Sequence, residues 1–333
     1  MTSATASDSP PAPFHSWVRR ALQPEFLILW LCVLYFAVVA PFIPGFSSTS
    51  NLKTILAYAL PILTVSVGLT LVLILGGIDL SVTSIIALSS VVGGKIMSAD
   101  EGWLAGHPLA VPVGLAAMLL VGACVGAANG LFVTTFRLPP FIATLTTLMF
   151  VSGFAIWLTL SRKIGGLPPA FLTLGQHLGI ATVLALLAAA VAHGVLTQTL
   201  FGKWLYAIGH NPRTAQVSGV PVTQITFITY VVCGVYAGLS SILFTAGLET
   251  ANPEMARDNL LDVVGAVVIG GTSLYGGRGR VSGTVFGVLF LALVDNSLNL
   301  LGLRFYTITM AKGGVILLAA LLDSLRNRIL AKA

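Results

Sequence analysis

The stretch LFGKWLYAIGHNPRTAQVSGVPV, Leu200 to Val222, is a charged and polar interruption between two apolar runs. Each flanking run, near 178–199 and 223–247, is long enough to cross a bilayer, whose hydrocarbon core of about 30 Å needs roughly 20 apolar residues. Lys203 and Arg213 give the interruption a cytoplasmic sign, because basic residues concentrate in cytoplasmic loops. Within it, Asn211 reads as a helix N-cap, Pro212 as the first helical residue, Arg213–Ser218 as a short helix and Gly219 as its C-cap. Ala215 and Val217, set among Thr214, Gln216 and Ser218, could seat that helix on a partner. An ordinary connector accounts for the same residues.

Working outward, the whole chain shares the apolar character of those runs. Of its 333 residues, 56% are hydrophobic and only 8% charged, where a soluble domain carries about 25% charged residues. A chain this apolar cannot cover itself against water, so an all-α polytopic membrane protein is expected. The net charge of +6 fixes orientation in a membrane and does not point to nucleic acid. Cys32, Cys124 and Cys233 each lie in an apolar run without CxxC spacing or a flanking His, so they read as packing residues and not as redox or metal chemistry.

Ten runs approach spanning length, near 26–45, 52–75, 80–99, 109–135, 140–161, 178–199, 223–247, 260–275, 281–299 and 306–324. The positive-inside rule places Arg19, Arg20, Arg137, Lys203, Arg213, Arg278, Arg280, Arg326, Arg328 and Lys332 in the cytoplasm. The expectation is a disordered cytoplasmic tail over 1–24, a transmembrane domain over 25–325 and a cytoplasmic tail over 326–333. Residues 200–222 are then a cytoplasmic loop, and Glu249, Glu254 and Asp258 lie outside beside Arg257.

Two stretches break the helical pattern. VLILGGIDLSVTS, 72–84, puts Gly76, Gly77 and Asp79 between apolar runs, and VVIGGTSLYGGRGRVSG, 267–283, carries Gly270, Gly271, Gly276, Gly277 and Gly279. Glycine frees the backbone from helical geometry. Non-helical backbone at membrane depth is tolerated only where protein or a water-filled cavity covers it. Asp79 suits the N-cap of the next helix, with a substrate contact as the alternative. Gly122, Gly126 and Gly130 recur at helix-packing spacing.

Catalytic signatures are absent. No P-loop GxxxxGK[ST], HExxH or GxSxG occurs, and the glycines around Arg278 give GxG without GxGxxG. The ionisable residues at membrane depth are Asp79, Asp262, Asp295 and Lys312; each is either functional or structural. The chain therefore reads as a non-enzyme that needs no cofactor or metal of its own. A carrier driven by an ion gradient would need coupling carboxylates near the midplane, and Asp295 is the one strong candidate by depth.

Several blocks in order give the chain a resemblance to the permease subunits of bacterial sugar ABC importers of the ribose, xylose and galactose type. They are GGIDLS at 76–81, LPPFIATL at 138–145, YAIGHNPRTAQVSGV at 206–220, LDVVGAVVIGGTSLYGGRG at 261–279, NSLNLLG at 296–302 and AKGGVILLA at 311–319. The chain departs from the family pattern at Thr83, Ser152, Leu260 and Asp295. The resemblance implies a bacterial inner-membrane protein and three kinds of partner. These are a cytoplasmic ABC ATPase that binds ATP and Mg, a periplasmic or lipid-anchored sugar-binding protein, and a second permease, identical or related. It also implies that Tyr206 and the segment Asn211–Gly219 couple to the ATPase. A neutral sugar calls for a pathway of small polar groups, for which Asn129, Thr144, Thr147, Asn296 and Asn299 are candidates, with helix–helix hydrogen bonding as the alternative for each.

Overall fold

The computed structural model describes residues 24–330, which hold thirteen α-helices. They are α1 (Pro24–Val39), α2 (Thr49–Ile74), α3 (Val82–Met97), α4 (Ala110–Thr134), α5 (Pro140–Thr159), α6 (Pro169–Gln176), α7 (Leu178–Gln198), α8 (Leu200–His210), α9 (Pro212–Val217), α10 (Val222–Gly247), α11 (Leu260–Ile269), α12 (Val281–Leu300) and α13 (Phe305–Leu330). Six of them, α2, α4, α5, α7, α10 and α12, are long and apolar enough to cross a membrane. The segments Leu27–Val39, Val82–Met97 and Phe305–Leu318 are shorter apolar helices. Every run expected from the sequence therefore contains a helix, though that of the run 260–275 is cut short at Gly270.

The expected N-terminal tail lies outside the described residues apart from Pro24, and so do Arg19, Arg20 and Lys332. Helix α13 runs on through Arg326 and Arg328 to Leu330, so no break in the backbone marks the expected boundary at 326.

Helix α2 is the axis of the bundle. Ser48 caps it by accepting from the Asn51 amide at 3.2 Å, and every residue from Ala59 to Ile74 is buried. Pro61 lies inside this helix, and the Ser240 hydroxyl donates to its carbonyl at 2.7 Å. Other hydroxyls stitch the interior in the same way: Thr70 and Thr284 meet at 2.7 Å, Ser241 donates to the Ile86 carbonyl at 2.7 Å and Thr245 to Ser90 at 2.7 Å. In a medium without water each such bond spares a polar group from being stranded.

Helices α4 and α10 pack backbone to backbone. A side chain at Gly122 would strike the Gly234 carbonyl, one at Gly234 would strike the Gly122 carbonyl, and one at Gly126 would strike the Tyr230 carbonyl. Gly130 faces Phe227, so all three glycines read from the sequence lie on this seam. Helix α7 uses alanine to the same end: Ala181, Ala185, Ala188, Ala189 and Ala192 are buried while Val183, Leu186, Leu187 and Val191 are exposed. Small residues inside and large apolar residues outside is the arrangement expected when lipid is the solvent.

Outside the long helices, Ile164 and Ala251 form an antiparallel bridge, each amide donating to the other's carbonyl at 2.9 Å. This bridge ties the loop before α6 to the segment that leads into α11. Helix α6, which the hydropathy runs did not reveal, is eight residues long, and its Gly175 packs against the backbone of Leu243 and Gly247.

The α4–α10 seam makes a paired prediction. Gly122→Val should lower thermal stability by more than the about 1–3 kcal/mol usual for overpacking, because the atoms it meets are backbone. Gly153→Ala, in α5 where nothing lies within 4 Å, should be neutral or stabilise by up to about 1 kcal/mol. Thermal unfolding of the purified variants in detergent would separate the two.

Candidate functional site

The polar interruption at 200–222 folds into two helices and not one. Thr199 starts α8 by accepting from the Gly202 amide at 3.3 Å. Asn211 then leaves helical geometry at φ −160°, which ends α8, and its Oδ1 caps α9 by accepting from the amides of Arg213 at 3.0 Å and Thr214 at 3.1 Å. Pro212 occupies the first helical position. Gly219, at φ +83°, closes α9 by donating to the Gln216 carbonyl at 3.1 Å, while Val220 donates to that of Ala215 at 3.0 Å. This pair of bonds is the Schellman motif that a C′ glycine makes possible.

Only Ala215 of α9 is buried; Arg213, Thr214, Gln216 and Ser218 are exposed, and Val217 is 90% exposed. Ala215 therefore anchors the helix to its own chain, whereas the sequence reading had set it beside Val217 as part of a docking face. The outward face is Arg213, Gln216 and Val217.

Helix α8 presses its buried residues Gly202, Leu205 and Ile208 inward. Its last turn meets both glycine breaks at once. A side chain at Gly209 would strike the Ile74 carbonyl and the Gly277 amide, and these two atoms are themselves hydrogen-bonded at 2.8 Å. Gly276 lies against Gly76 and the Gly209 carbonyl, and Gly277 lies against the His210 ring. Gly76, Gly271, Gly276 and Gly277 all have positive φ, from +72° to +86°, a region that other residues enter only with strain. The Tyr206 hydroxyl donates to the Gly279 carbonyl at 2.7 Å. Burial pushes that phenol above its ordinary range, an effect that nearby Arg280 partly offsets, so Tyr206 remains a hydrogen-bond donor at neutral pH. Two glycine breaks far apart in sequence and the helix before α9 thus form one junction. Beside it the loop tip offers Leu274 and Tyr275, which is 89% exposed. Sequence reasoning passed over these two residues because they sit inside a glycine run.

Around the first break, Asp79 is wholly buried. It does not form the expected N-cap of α3, because that position is Ser81, two residues further on. Asp79 Oδ1 accepts instead from the Ser81 amide at 2.9 Å and hydroxyl at 2.6 Å, holding the residue that begins the helix. Asn129 donates to the same Ser81 hydroxyl at 2.8 Å, and Thr144 donates to the Ile78 carbonyl at 3.3 Å. Asn129 and Thr144 therefore brace the break, and Thr147 lies buried one turn beyond Thr144. Asn296 and Asn51 exchange side-chain bonds at 2.8 and 2.9 Å, linking α12 to α2. Asn299 donates to Asp295 at 2.9 Å.

The remaining ionisable residues at membrane depth also come together. Lys312 reaches Asp262 and Asp295 at 2.9 Å each. Asp262 also accepts from Tyr58 at 3.1 Å.

Residues 51–322 match the family described as branched-chain amino acid transport system / permease component. The chain is 35% identical over 316 residues to the ribose import permease protein RbsC of Escherichia coli K12, covering 92% of this chain and 96% of the relative. It is 37% identical over 313 residues to RbsC of Bacillus subtilis 168, covering 92% and 93%. To the D-allose transport system permease protein AlsC of Escherichia coli K12 it is 32% identical over 310 residues, covering 91% of each. No solved structure matches.

Two outcomes test the junction and the break. Tyr206→Phe removes one buried bond and should cost about 0.5–1.5 kcal/mol in thermal stability, whereas Gly209→Val should abolish folded protein or transport, since it must part Ile74 from Gly277. Asp79→Asn keeps an oxygen for Ser81 and should leave yield and transport near wild type; Asp79→Leu strands the Ser81 amide and should lose both. Equal behaviour of the two Asp79 variants would remove its structural role.

Proposed function

The chain belongs to the permease-component family of ABC transporters, and from that premise we propose that it carries a monosaccharide or related small polyol inward across the bacterial inner membrane. As a permease component it is not itself catalytic, and ATP is bound by a separate ATPase. A substrate-binding protein delivers the solute. The sugar class is supported by relatives named for ribose, allose and L-arabinose.

In this reading the chain crosses the membrane ten times with both termini in the cytoplasm. α3 alone, sixteen residues long, reaches about 24 Å, and the extended residues of the first glycine break complete its crossing. α11, ten residues long, covers about half a bilayer before the second break continues the path. The loops holding Glu249, Glu254 and Arg257 lie outside, and the junction of α8 with the two breaks lies at the cytoplasmic boundary.

The mechanism is alternating access. ATP binding closes the ATPase, and a partner that distinguishes two states shifts the permease between them. α9 is the coupling element, with Arg213, Gln216 and Val217 seated on the ATPase and Leu274 and Tyr275 adding a second contact beside it. The movement passes through Gly209, Ile74 and Gly277 to both broken spans. A cavity of about 280 Å³ beside α3 and α5, lined by Thr83, Ser84, Ser152 and Glu254 among others, supplies small polar groups for the pathway. A second permease, identical or related, covers the apolar face of α5, where Met149, Phe150 and Trp157 are 67–75% exposed.

The observation that carries the coupling role is the build of α9: a capped helix held by one buried alanine, with the rest of its surface turned outward. Replacing Arg213 and Gln216 by Glu should leave membrane insertion intact and cut ATP-driven uptake by an order of magnitude or more. Proteoliposomes containing the complete transporter would give both readings. Normal uptake by the double variant would remove α9 as the coupling element.

A further inference from the structure

On the side of the bundle away from the glycine junction, four helices bring polar groups to one cavity of about 610 Å³. Small-molecule sites commonly enclose about 300–1,000 Å³. Tyr58 comes from α2, Asp262 from α11, Asp295 and Asn299 from α12 and Lys312 from α13, with Asn259 just ahead of α11. Lys312 joins the two carboxylates at 2.9 Å each, and its side chain is 13% exposed beside 5% for Asp262 and 17% for Asp295. Asn259 donates to the Tyr58 hydroxyl at 3.0 Å, which in turn donates to Asp262.

With Asp258 and Arg257 also in the lining, three carboxylates face two cations and leave one surplus negative charge. Ionisable residues at membrane depth face a protein interior or water, not lipid, and a polar cavity of this volume has room for water. Its floor offers carboxylate and amide oxygens to accept from hydroxyls, since the phenol hydrogen of Tyr58 and the amide hydrogens of Asn259 and Asn299 are already donated within the cluster. The exposed Phe305 ring on its rim offers an apolar face. Hydroxyl-rich neutral molecules combine these needs, whereas an anion would meet the surplus negative charge while both cations of the lining are already engaged, Lys312 by Asp262 and Asp295 and Arg257 by Glu254.

We propose that this cavity is a solute-binding station in the outer half of the pathway, selective for neutral polyhydroxylated solutes of monosaccharide size over their anionic counterparts, with Asp295 and Asn299 contacting hydroxyls. The proposal rests on the reading of the chain as a monosaccharide permease. Asp295 sets the selectivity by charge, and Lys312 holds both carboxylates in place.

The test uses the complete transporter in proteoliposomes. Exposed Cys124 is first replaced by Ala, and Asn299→Cys or, at the rim, Thr309→Cys then reports labelling by a membrane-impermeant thiol reagent. Uptake of D-ribose, D-allose and L-arabinose is measured in parallel. A transported sugar supplied with its binding protein at about ten times its half-saturating level should slow labelling roughly tenfold, and D-ribonate should not. Asp295→Asn should let D-ribonate protect as well, a change of pattern that loss of packing alone does not produce. If the parent takes up none of the three sugars, the monosaccharide reading fails. If it takes them up and either cysteine labels at the same rate with and without sugar, the station fails while that reading stands. Absence of labelling at both positions in a transporting protein also overturns the station, since the cavity is then closed to water.

Discussion

A bilayer offers no water to an unpaired backbone group, and where the two glycine breaks meet the protein answers that constraint with a hydrogen bond from the Gly277 amide to the Ile74 carbonyl. Each partner belongs to a span that has stopped being a helix. Neither break could persist in lipid by itself. By lying against each other, with Gly76 facing Gly276 and Gly209 closing the third side, they become a single protein-covered unit. The absence of side chains is what lets three backbones come so near.

That junction explains how the short helices between α7 and α10 can influence both glycine breaks. Tyr206, Gly209 and His210 all lie on α8, and each touches one of the breaks. α9 follows after a single residue, Asn211, whose side chain fixes the angle between the two helices. A push on α9 therefore arrives at Ile74 and Gly277 through short, stiff elements and not through a loop. The first break has further support from Asp79, Ser81, Asn129 and Thr144, all buried, so its shape is held by its own side chains and by one each from α4 and α5.

Much of this was legible in the sequence because it is written in local chemistry. Apolar runs locate the helices; Asn211, Pro212 and Gly219 mark the ends of α9; paired glycines mark where spans break. The α4 glycines announced a close helix contact, although nothing local names α10 as the partner. What escaped the sequence depends on positions distant along the chain. Asp79 looked like a helix cap because it precedes a helix, yet the helix starts at Val82 with Ser81 as its N-cap, and a carboxylate at 79 holds that capping residue in place. Ala215 looked like part of an outward face because it lies near Val217, yet residues two apart in a helix point about 200° apart, on opposite sides. The convergence of Asp262, Asp295 and Lys312 required three helices to be placed, and hydropathy gives no such information. Asn296 showed as a polar residue in a span, but its partner Asn51 lies on a different helix near the opposite end of the chain.

The backbone-tight seam between α4 and α10 also bears on how the molecule is made. Its two sides emerge from the ribosome far apart in time, since Gly122 is inserted well before Gly234 exists. Until α10 arrives, α4 must reside in lipid with a groove of bare glycine where a neighbour should be. Topologies rich in such distant contacts assemble slowly. The last long helices are thus the ones that convert a row of separately inserted spans into a bundle, and a chain halted before residue 247 would hold its early helices in the membrane without the partner that locks them.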